Sequence, residues 1–131
     1  MSLAAVRRDA VGIPSAAPEG WVRVCALSDL AVERGSACLL DDTQIALFRL
    51  HTGRVHAVAN HDPYSGAQVI SRGIVGTRDG IPTVASPMYK QVFDLRTGVC
   101  LDTQGREAAG LQVFPASVLG GDVWIRWGDE R

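Results

Sequence analysis

Two apolar runs, QIALFRL at positions 44–50 and RVHAVA at positions 54–59, flank the dipeptide Thr52-Gly53. Each run has the length of a typical β-strand, and turn-forming residues separate the two. Gly53 can adopt the positive φ that a tight turn between paired strands requires. The stretch therefore predicts a β-hairpin.

The same pattern recurs on both sides of this hairpin. A second hairpin is predicted around Thr97-Gly98, between 92–95 and 99–101, and a third across Gly120-Gly121, between 111–114 and 123–127. Partial alternation predicts a further strand at 21–25, whereas only 28–33 indicates a helical turn. Fourteen glycines and six prolines suit a sheet protein with many tight connections. The predicted fold class is all-β, with antiparallel strands.

The chain divides into a tail and one domain. The first nineteen residues are small, polar or proline-containing, without a sustained period, and predict a flexible N-terminal tail at 1–19. A single domain is predicted over 20–131. Within it, residues 60–86 are rich in Gly, Ser, Pro and Asp and show little regular strand pattern. A loop-rich subdomain is predicted at about 60–94. Long loops inside a compact domain usually carry function.

Composition excludes several classes of partner. Thirteen Lys and Arg residues against fourteen Asp and Glu residues give a net charge of −1. Proteins that bind nucleic acid or anionic membranes carry clustered basic charge, so neither partner is predicted. No apolar run approaches the roughly 20 residues that cross a bilayer. Charged residues near the N-terminus argue against a secretion signal, so a cytoplasmic location is predicted.

Cysteines and histidines do not form a metal-ligand pattern. The cysteines are odd in number, far apart and set in apolar segments, so they are predicted to be buried apolar side chains: Cys25, Cys38 and Cys100. The three histidines recur every five residues, which does not place them on one face of a strand. The sequence predicts no metal site in this chain.

Two segments of the middle stretch have related sequences. The first reads HDPYSGA at 61–67, and the second reads ASPMY at 85–89 and continues into FDLRTG at 93–98. They resemble the two loops of the Rieske family, Cys-Pro-His-x-Gly-Ala and Cys-Pro-x-His, of which the second precedes Phe-Asp-Leu-x-Thr-Gly. The resemblance implies a Rieske-like antiparallel β-sandwich or barrel, with a subdomain of the type that binds a [2Fe–2S] cluster.

The four positions that match the cluster ligands hold other residues. Asp62 and Ser86 stand where the family has Cys, and Tyr64 and Tyr89 stand where it has His. Iron and sulfide need soft thiolates, for which hydroxyls and one carboxylate are poor substitutes. No cofactor is therefore expected in this chain. The two Tyr rings are expected to fill the volume that a cluster would occupy.

A narrower resemblance covers about residues 21–127. The block SGAQVISRGIVG at 65–76 and the run VASPMYKQVFDL at 84–95 resemble the small subunit of bacterial assimilatory NAD(P)H-dependent nitrite reductase. Some small subunits of that family have a Rieske-like domain without cluster ligands. The resemblance implies an accessory subunit that binds the large catalytic subunit, in a complex that reduces nitrite to ammonium. FAD, siroheme and an iron–sulfur cluster are expected in the large subunit.

Four residues in or beside the two segments are candidates for contact with that partner: His61, Arg72, Lys90 and Gln91. Arg72 and Lys90 supply positive charge, which an acidic surface would use to set the register and rate of docking. No catalytic residue is predicted. Ser86, the nearest nucleophile, lacks a Gly-x-Ser-x-Gly context and a recognisable His and Asp pattern.

Two other functions stay open from the sequence. A Rieske-type [2Fe–2S] electron-transfer ferredoxin would share the fold, and bound iron would identify it. A free-standing binding module would reuse the emptied loops for another small molecule or protein. A neighbouring gene for a siroheme-type reductase would favour the subunit over the module. The sequence does not distinguish NADH from NADPH as the electron donor.

Overall fold

The structure is a computed structural model, which describes residues 3–6 and 20–127. The described residues contain twelve strands and two short 3₁₀ turns, Leu27–Asp29 and Ile70–Arg72. The strands are β1 (Leu3–Val6), β2 (Trp21–Ala26), β3 (Arg34–Leu40), β4 (Thr43–Arg49), β5 (Val55–Ala59), β6 (Ile74–Arg78), β7 (Ile81–Ala85), β8 (Val92–Asp94), β9 (Cys100–Asp102), β10 (Val113–Phe114), β11 (Ala116–Leu119) and β12 (Asp122–Arg126).

These strands form three sheets. A five-stranded sheet has the order β1-β3-β4-β5-β10, a three-stranded sheet the order β11-β12-β2, and a four-stranded sheet the order β6-β7-β8-β9. Every pair is antiparallel except β1 with β3, which is parallel. The predicted all-β, antiparallel fold class is confirmed.

The five-stranded sheet lies between the other two. Ile45 and Leu47 of β4 pack in one apolar cluster with residues of β2 and β12, while Ala46 and Phe48 pack in a second cluster with residues of β7 and β8. Successive side chains of a strand point to opposite faces, so β4 is covered on both sides. All four side chains are at most 2% exposed. Burying each of the larger ones stabilises the fold by about 2 kcal/mol.

Two of the three predicted hairpins are confirmed. Strands β4 and β5 are joined by a turn in which the Leu50 N–H donates to the Arg54 carbonyl oxygen (2.8 Å). Strands β8 and β9 are joined through Gly98, which has a φ of +79°. A Cβ at Gly98 would also collide with the Leu111 carbonyl oxygen, so glycine is required there for two reasons.

The third predicted hairpin is wrong in one of its strands. The turn does lie at Gly120-Gly121, but β12 pairs with β11, whereas β10 pairs with β5 in another sheet. Pro115 separates β10 from β11 at the point where the chain changes sheets. Strand β11 is mostly exposed, and its weak apolar pattern gave little sign of a strand. The predicted strand at 21–25 is confirmed as β2.

Residues 60–86 contain more strand than their composition indicated. Besides the first loop they hold β6 and β7, so the expectation of little regular strand in this stretch is corrected, whereas β8 matches the strand predicted at 92–95. Gly76, Gly80 and Pro82 interrupt the apolar pattern of β6 and β7, which hid these strands. The short 3₁₀ turn at Leu27–Asp29 overlaps only the start of the helical turn predicted at 28–33.

Most of the predicted N-terminal tail lies outside the described residues. Of positions 1–19, only Leu3–Val6 is described, as a strand whose backbone lies in register with 37–40 of β3. The flexibility of the tail and the domain boundary at residue 20 stay predictions. Over residues 3–6 and 20–127, there is no helix with the length and apolar character to cross a membrane.

Candidate functional site

The first loop, residues 61–67, follows β5 and closes on itself. The Asp62 N–H donates to the Ala67 carbonyl oxygen (2.8 Å), and the Gly66 N–H donates to the Asp62 carbonyl oxygen (2.8 Å). Gly66 has a φ of +78°, which a residue without a Cβ adopts at little cost. The Asp62 side chain is fully buried.

The second loop, residues 86–91, joins β7 to β8 and repeats this geometry. The Ser86 N–H donates to the Gln91 carbonyl oxygen (2.9 Å), and the Lys90 N–H donates to the Ser86 carbonyl oxygen (3.1 Å). Lys90 occupies the position that Gly66 has in the first loop, and its φ is +68°. Asp62 and Ser86 therefore hold equivalent positions in two loops of the same backbone form.

A buried hydrogen bond joins the two loops. The Ser86 hydroxyl donates to Asp62 Oδ2 (2.6 Å), and both residues are fully buried. Each oxygen is also held by its own loop: the Tyr64 N–H donates to Asp62 Oδ1 (2.9 Å), and the Met88 N–H donates to Ser86 Oγ (3.2 Å). The two positions that match cysteines in the resemblance thus bind each other.

Asp62 is stabilised as a carboxylate in this setting. Burial alone would raise its pKa, but hydrogen bonds from the Ser86 hydroxyl, the Tyr64 backbone and Ser65 outweigh that effect. The pKa of Asp62 therefore lies below its ordinary value. A buried carboxylate whose oxygens are taken up by donors of the protein is poorly placed to bind a metal ion or to act as a base.

Tyr64 fixes the first loop to a distant part of the chain. Its hydroxyl donates to the Glu107 carbonyl oxygen (2.9 Å) and accepts from the Ala109 N–H (2.9 Å). Cys100 Sγ lies 3.6 Å from the same hydroxyl, and the ring centroid lies 6.2 Å from that of Phe93. Burial, and then the contact with Cys100, raises the pKa of Tyr64, so its hydroxyl keeps its proton.

Tyr89 does not match the prediction that both rings fill the volume of a cluster. It is 44% exposed, and the Arg106 guanidinium lies 4.8 Å from its ring centroid. That distance allows a cation–π interaction at the surface. The neighbouring Met88 is 47% exposed. The tip of the second loop therefore presents an apolar side chain and an aromatic ring to solvent.

The four predicted contact residues lie in different environments. His61, Arg72 and Lys90 are exposed. His61 lines a cleft of about 410 Å³ beside the first loop, and its Nδ1 lies 3.5 Å from Gln68 Nε2. Gln91 is fully buried, and neither atom of its side-chain amide has a hydrogen-bond partner. In the isolated chain, only the first three side chains are accessible to a partner, and all four assignments stay predictions.

The residues of the two loops do not fit a [2Fe–2S] cluster. Such a cluster is held by thiolates, in Rieske centres together with imidazoles, and the loops supply a paired carboxylate, a paired hydroxyl and two phenols. Cys100 is the cysteine in contact with a loop residue, through Tyr64. Burial raises the pKa of Cys25 to about 11 and that of Cys38 to about 12, so both are thiols near neutral pH.

Several residues that build this site were missed in the sequence. Asn60 is buried before the first loop, where its Oδ1 accepts from the Ser71 N–H (2.7 Å) and its Nδ2 donates to Gln44 Oε1 (3.1 Å). Asn preceding a turn is a local signal that would have identified it. Glu107 lies 43 positions from Tyr64, whose hydroxyl it accepts from, and Arg106 lies in a different loop from Tyr89, whose ring it contacts. No local sequence pattern links either residue to its tyrosine.

Comparison with protein families gives one match across this architecture. The model of the Rieske-like [2Fe-2S] domain matches residues 20–126, which include both loops and strands β2 to β12. Among the described residues, no group of three or more His, Cys, Asp or Glu side chains is arranged to hold a metal ion.

Several relatives are named as subunits of nitrite reductase. The nitrite reductase (NADH) small subunit of Escherichia coli strain K12 is 36% identical over 107 residues, which cover 81% of this chain and 96% of that protein. A crystal structure from Mycobacterium tuberculosis, assigned as an NADH-dependent nitrite reductase small subunit, is 48% identical, with a TM-score of 0.73. The aligned region covers 80% of this chain and 92% of the Mycobacterium tuberculosis chain.

A third relative carries the similar segment in a much longer chain. The nitrite reductase [NAD(P)H] large subunit of Klebsiella oxytoca is 39% identical over 116 residues. The match covers 88% of this chain but only 12% of that protein. A segment similar to almost the whole of this chain is therefore covalently part of a protein named as a large subunit.

Proposed function

Since the chain belongs to the Rieske-like [2Fe-2S] domain family, we propose that it is a cluster-free accessory small subunit that acts by binding the large subunit of an NAD(P)H-dependent nitrite reductase. In this proposal the electron path from NAD(P)H to nitrite lies in the large subunit, which holds FAD, siroheme and an iron–sulfur cluster. The chain itself contributes contacts and no bond-making residue, and the complex works in the cytoplasm in nitrate assimilation.

The buried hydrogen bond between Ser86 and Asp62 carries the cluster-free part of the proposal. It occupies both positions that correspond to thiolates, and it leaves neither side chain free to take up iron. The loop backbone is nonetheless retained, with its paired hydrogen bonds at both positions. If these loops now serve to bind a partner, we expect their backbone shape to be kept while the side chains that would hold iron are replaced.

The Klebsiella oxytoca relative supports the choice of partner. In that protein a segment 39% identical to this chain belongs to the same polypeptide as the rest of a nitrite reductase large subunit. A domain that is fused in one protein and separate in another commonly works in the same complex. The small-subunit names of the relatives that are covered over most of their length agree with this inference.

We place the contact on the surface formed by the exposed side chains of the second loop and their neighbours, namely Met88, Tyr89 and Lys90 with Arg72 and His61. Met88 and Tyr89 supply apolar area that is 47% and 44% exposed. Lys90 and Arg72 supply positive charge at its edge, which favours an acidic face on the large subunit. Gln91 lies beneath this surface and serves by holding the second loop through its backbone.

The test is nitrite reduction with NADH or NADPH by the cognate large subunit, assayed with and without this chain and paired with co-elution on a sizing column. We expect co-elution, and higher activity or stability of the large subunit when the chain is present. Reversing two charges together, Arg72→Glu and Lys90→Glu, should weaken binding at least about tenfold through lost charge complementarity. The matched control is Arg126→Glu, an exposed arginine on β12, in a different sheet.

Two results would contradict the proposal in different ways. If the chain neither co-elutes with the large subunit nor changes its activity, the partner assignment is wrong and a free-standing binding module remains. Stoichiometric iron and a brown colour after anaerobic purification would contradict the cluster-free assignment and support a Rieske-type ferredoxin. Equal loss of binding in the Arg126→Glu control would mean that the docking surface lies elsewhere on the chain.

A further inference from the structure

A second cleft lies at the end of the molecule opposite the two loops. It has a volume of about 430 Å³ and lies between the β4–β5 turn and the β6–β7 turn. The first loop follows β5 and the second follows β7, so these turns lie at the far ends of the same strands. Its size falls within the range of small-molecule sites. None of the proposed docking residues lines it.

Two guanidinium groups, those of Arg54 and Arg96, and one carboxylate, that of Glu33, line this cleft. Glu33 accepts from the backbone N–H of His51 (2.8 Å) and lies 3.2 Å from His51 Nδ1. Arg96 pairs with the buried carboxylate of Asp94 (3.0 Å). The guanidinium of Arg54 has no acidic partner within residues 3–6 and 20–127.

The imidazole of His56 also lines the cleft and is incompletely bonded. Its Nε2 is buried and has no hydrogen-bond partner among the described residues. Burial, and then the charges of Arg54 and Arg96, lower the pKa of His56, although Asp94 acts in the opposite direction. His56 is therefore a neutral ring with an unused nitrogen, in the field of two guanidinium groups.

We propose that this cleft binds a small oxyanion of the carboxylate, phosphate or nitrite type. The Arg54 guanidinium would supply the main charge-assisted hydrogen bonds, since its donors are not taken up by an acidic group. Arg96 uses Nε and one Nη2 hydrogen on Asp94, so Nη1 keeps donors for the ligand. Because Nε2 is buried in the unliganded chain, His56 would donate to the ligand, in the tautomer that protonates this nitrogen, after its ring rotates toward the cleft.

The proposal is independent of the docking surface, and binding to the isolated chain tests it. The chain is titrated with inorganic phosphate, acetate and nitrite in separate NMR experiments, at constant ionic strength set with chloride. We expect saturable shifts at the Arg54 side chain and the His56 ring for at least one of the three anions. The anion that saturates at the lowest concentration identifies the type of oxyanion.

Two variants and one control separate binding from charge screening. Arg54→Ala lies in an exposed turn and should weaken binding about tenfold, as loss of a charge-assisted bidentate contact predicts. His56→Gln should weaken it severalfold while the dispersion of the NMR spectrum stays that of a folded protein. Arg126→Ala, an exposed arginine outside the cleft, should change nothing. Shifts that chloride reproduces, or that Arg54→Ala leaves unchanged, would overturn the proposal.

Discussion

The two loops share a backbone but treat their side chains differently. In the first loop, Tyr64 turns toward the protein and bonds to the backbone of Glu107 and Ala109. In the second, Tyr89 occupies the position that matched a ligand yet is 44% exposed beside Arg106. The backbone hydrogen bonds therefore give both loops the same shape, whereas their side chains differ. We call the first loop braced, because Tyr64 fixes it to a distant segment, and the second presented, because Tyr89 is exposed to solvent.

The buried Asp62–Ser86 pair is where the two loops depend on each other. We expect Asp62→Ala to lower the free energy of unfolding by about 3 kcal/mol, because the Ser86 hydroxyl and the Tyr64 N–H both lose their acceptor in the interior. Denaturation by urea, monitored by tryptophan fluorescence, measures this change. The exposed Asp42, changed to Ala, is the matched control and should shift stability by less than about 0.5 kcal/mol.

An acid titration adds an independent readout at the same position. The pKa of Asp62 in the folded protein lies below its ordinary value of 3.8. Its contribution is fully present above that value and is lost as the pH falls through the folded pKa. Wild-type stability should thus fall more steeply below pH 3.8 than that of Asp62→Asn. Parallel curves would mean that the charge of Asp62 contributes nothing, since Asp94 titrates in both proteins.

The tyrosine pair gives a smaller effect and a direct contrast between the loops. We expect Tyr64→Phe to destabilise the protein by roughly 1.5 kcal/mol, because the Ala109 N–H and the Glu107 carbonyl lose their shared partner. Tyr89→Phe should stay within about 0.5 kcal/mol of wild type, since its ring keeps the contact with Arg106. Equal effects on thermal or urea unfolding would remove the distinction between a braced and a presented loop.

The parts of the fold that the sequence predicted correctly are local ones. The β4–β5 and β8–β9 hairpins have their turn residue and both strands within a few positions, so a short window contains the whole signal. The Rieske-like loops were also identifiable, because their spacing survives although the ligands do not. In both cases the determining residues are neighbours in the chain.

The errors concern contacts made across long separations. The pairing of β10 with β5 depends on where the chain changes sheets at Pro115, which no periodicity in 111–114 indicates. The prediction that Tyr89 fills a cluster-sized volume was wrong because burial depends on the neighbouring elements, and a position in a motif does not determine it. The acceptor of the Tyr64 hydroxyl at Glu107 was missed for the same reason.

The smallest expected effects come from the fifth position of each loop turn, held by Gly66 and Lys90. Both have positive φ, and space around Gly66 is open to a Cβ. Gly66→Ala should therefore destabilise the protein by about 1 kcal/mol through backbone strain alone. Lys90→Gly relieves the same strain but gives the unfolded chain more freedom, so its net effect should lie within about 0.5 kcal/mol of zero.

The two substitutions at this position decide whether the Lys90 side chain serves the fold or a partner. A presented side chain contributes little to folding, so Lys90→Gly should leave the unfolding midpoint nearly unchanged while it weakens co-elution with the large subunit. A loss of stability as large as that of Gly66→Ala would show that the lysine stem packs against the second loop. In that case the side chains of the second loop stabilise the fold as those of the first loop do, and the docking surface does not lie at the tip of the second loop.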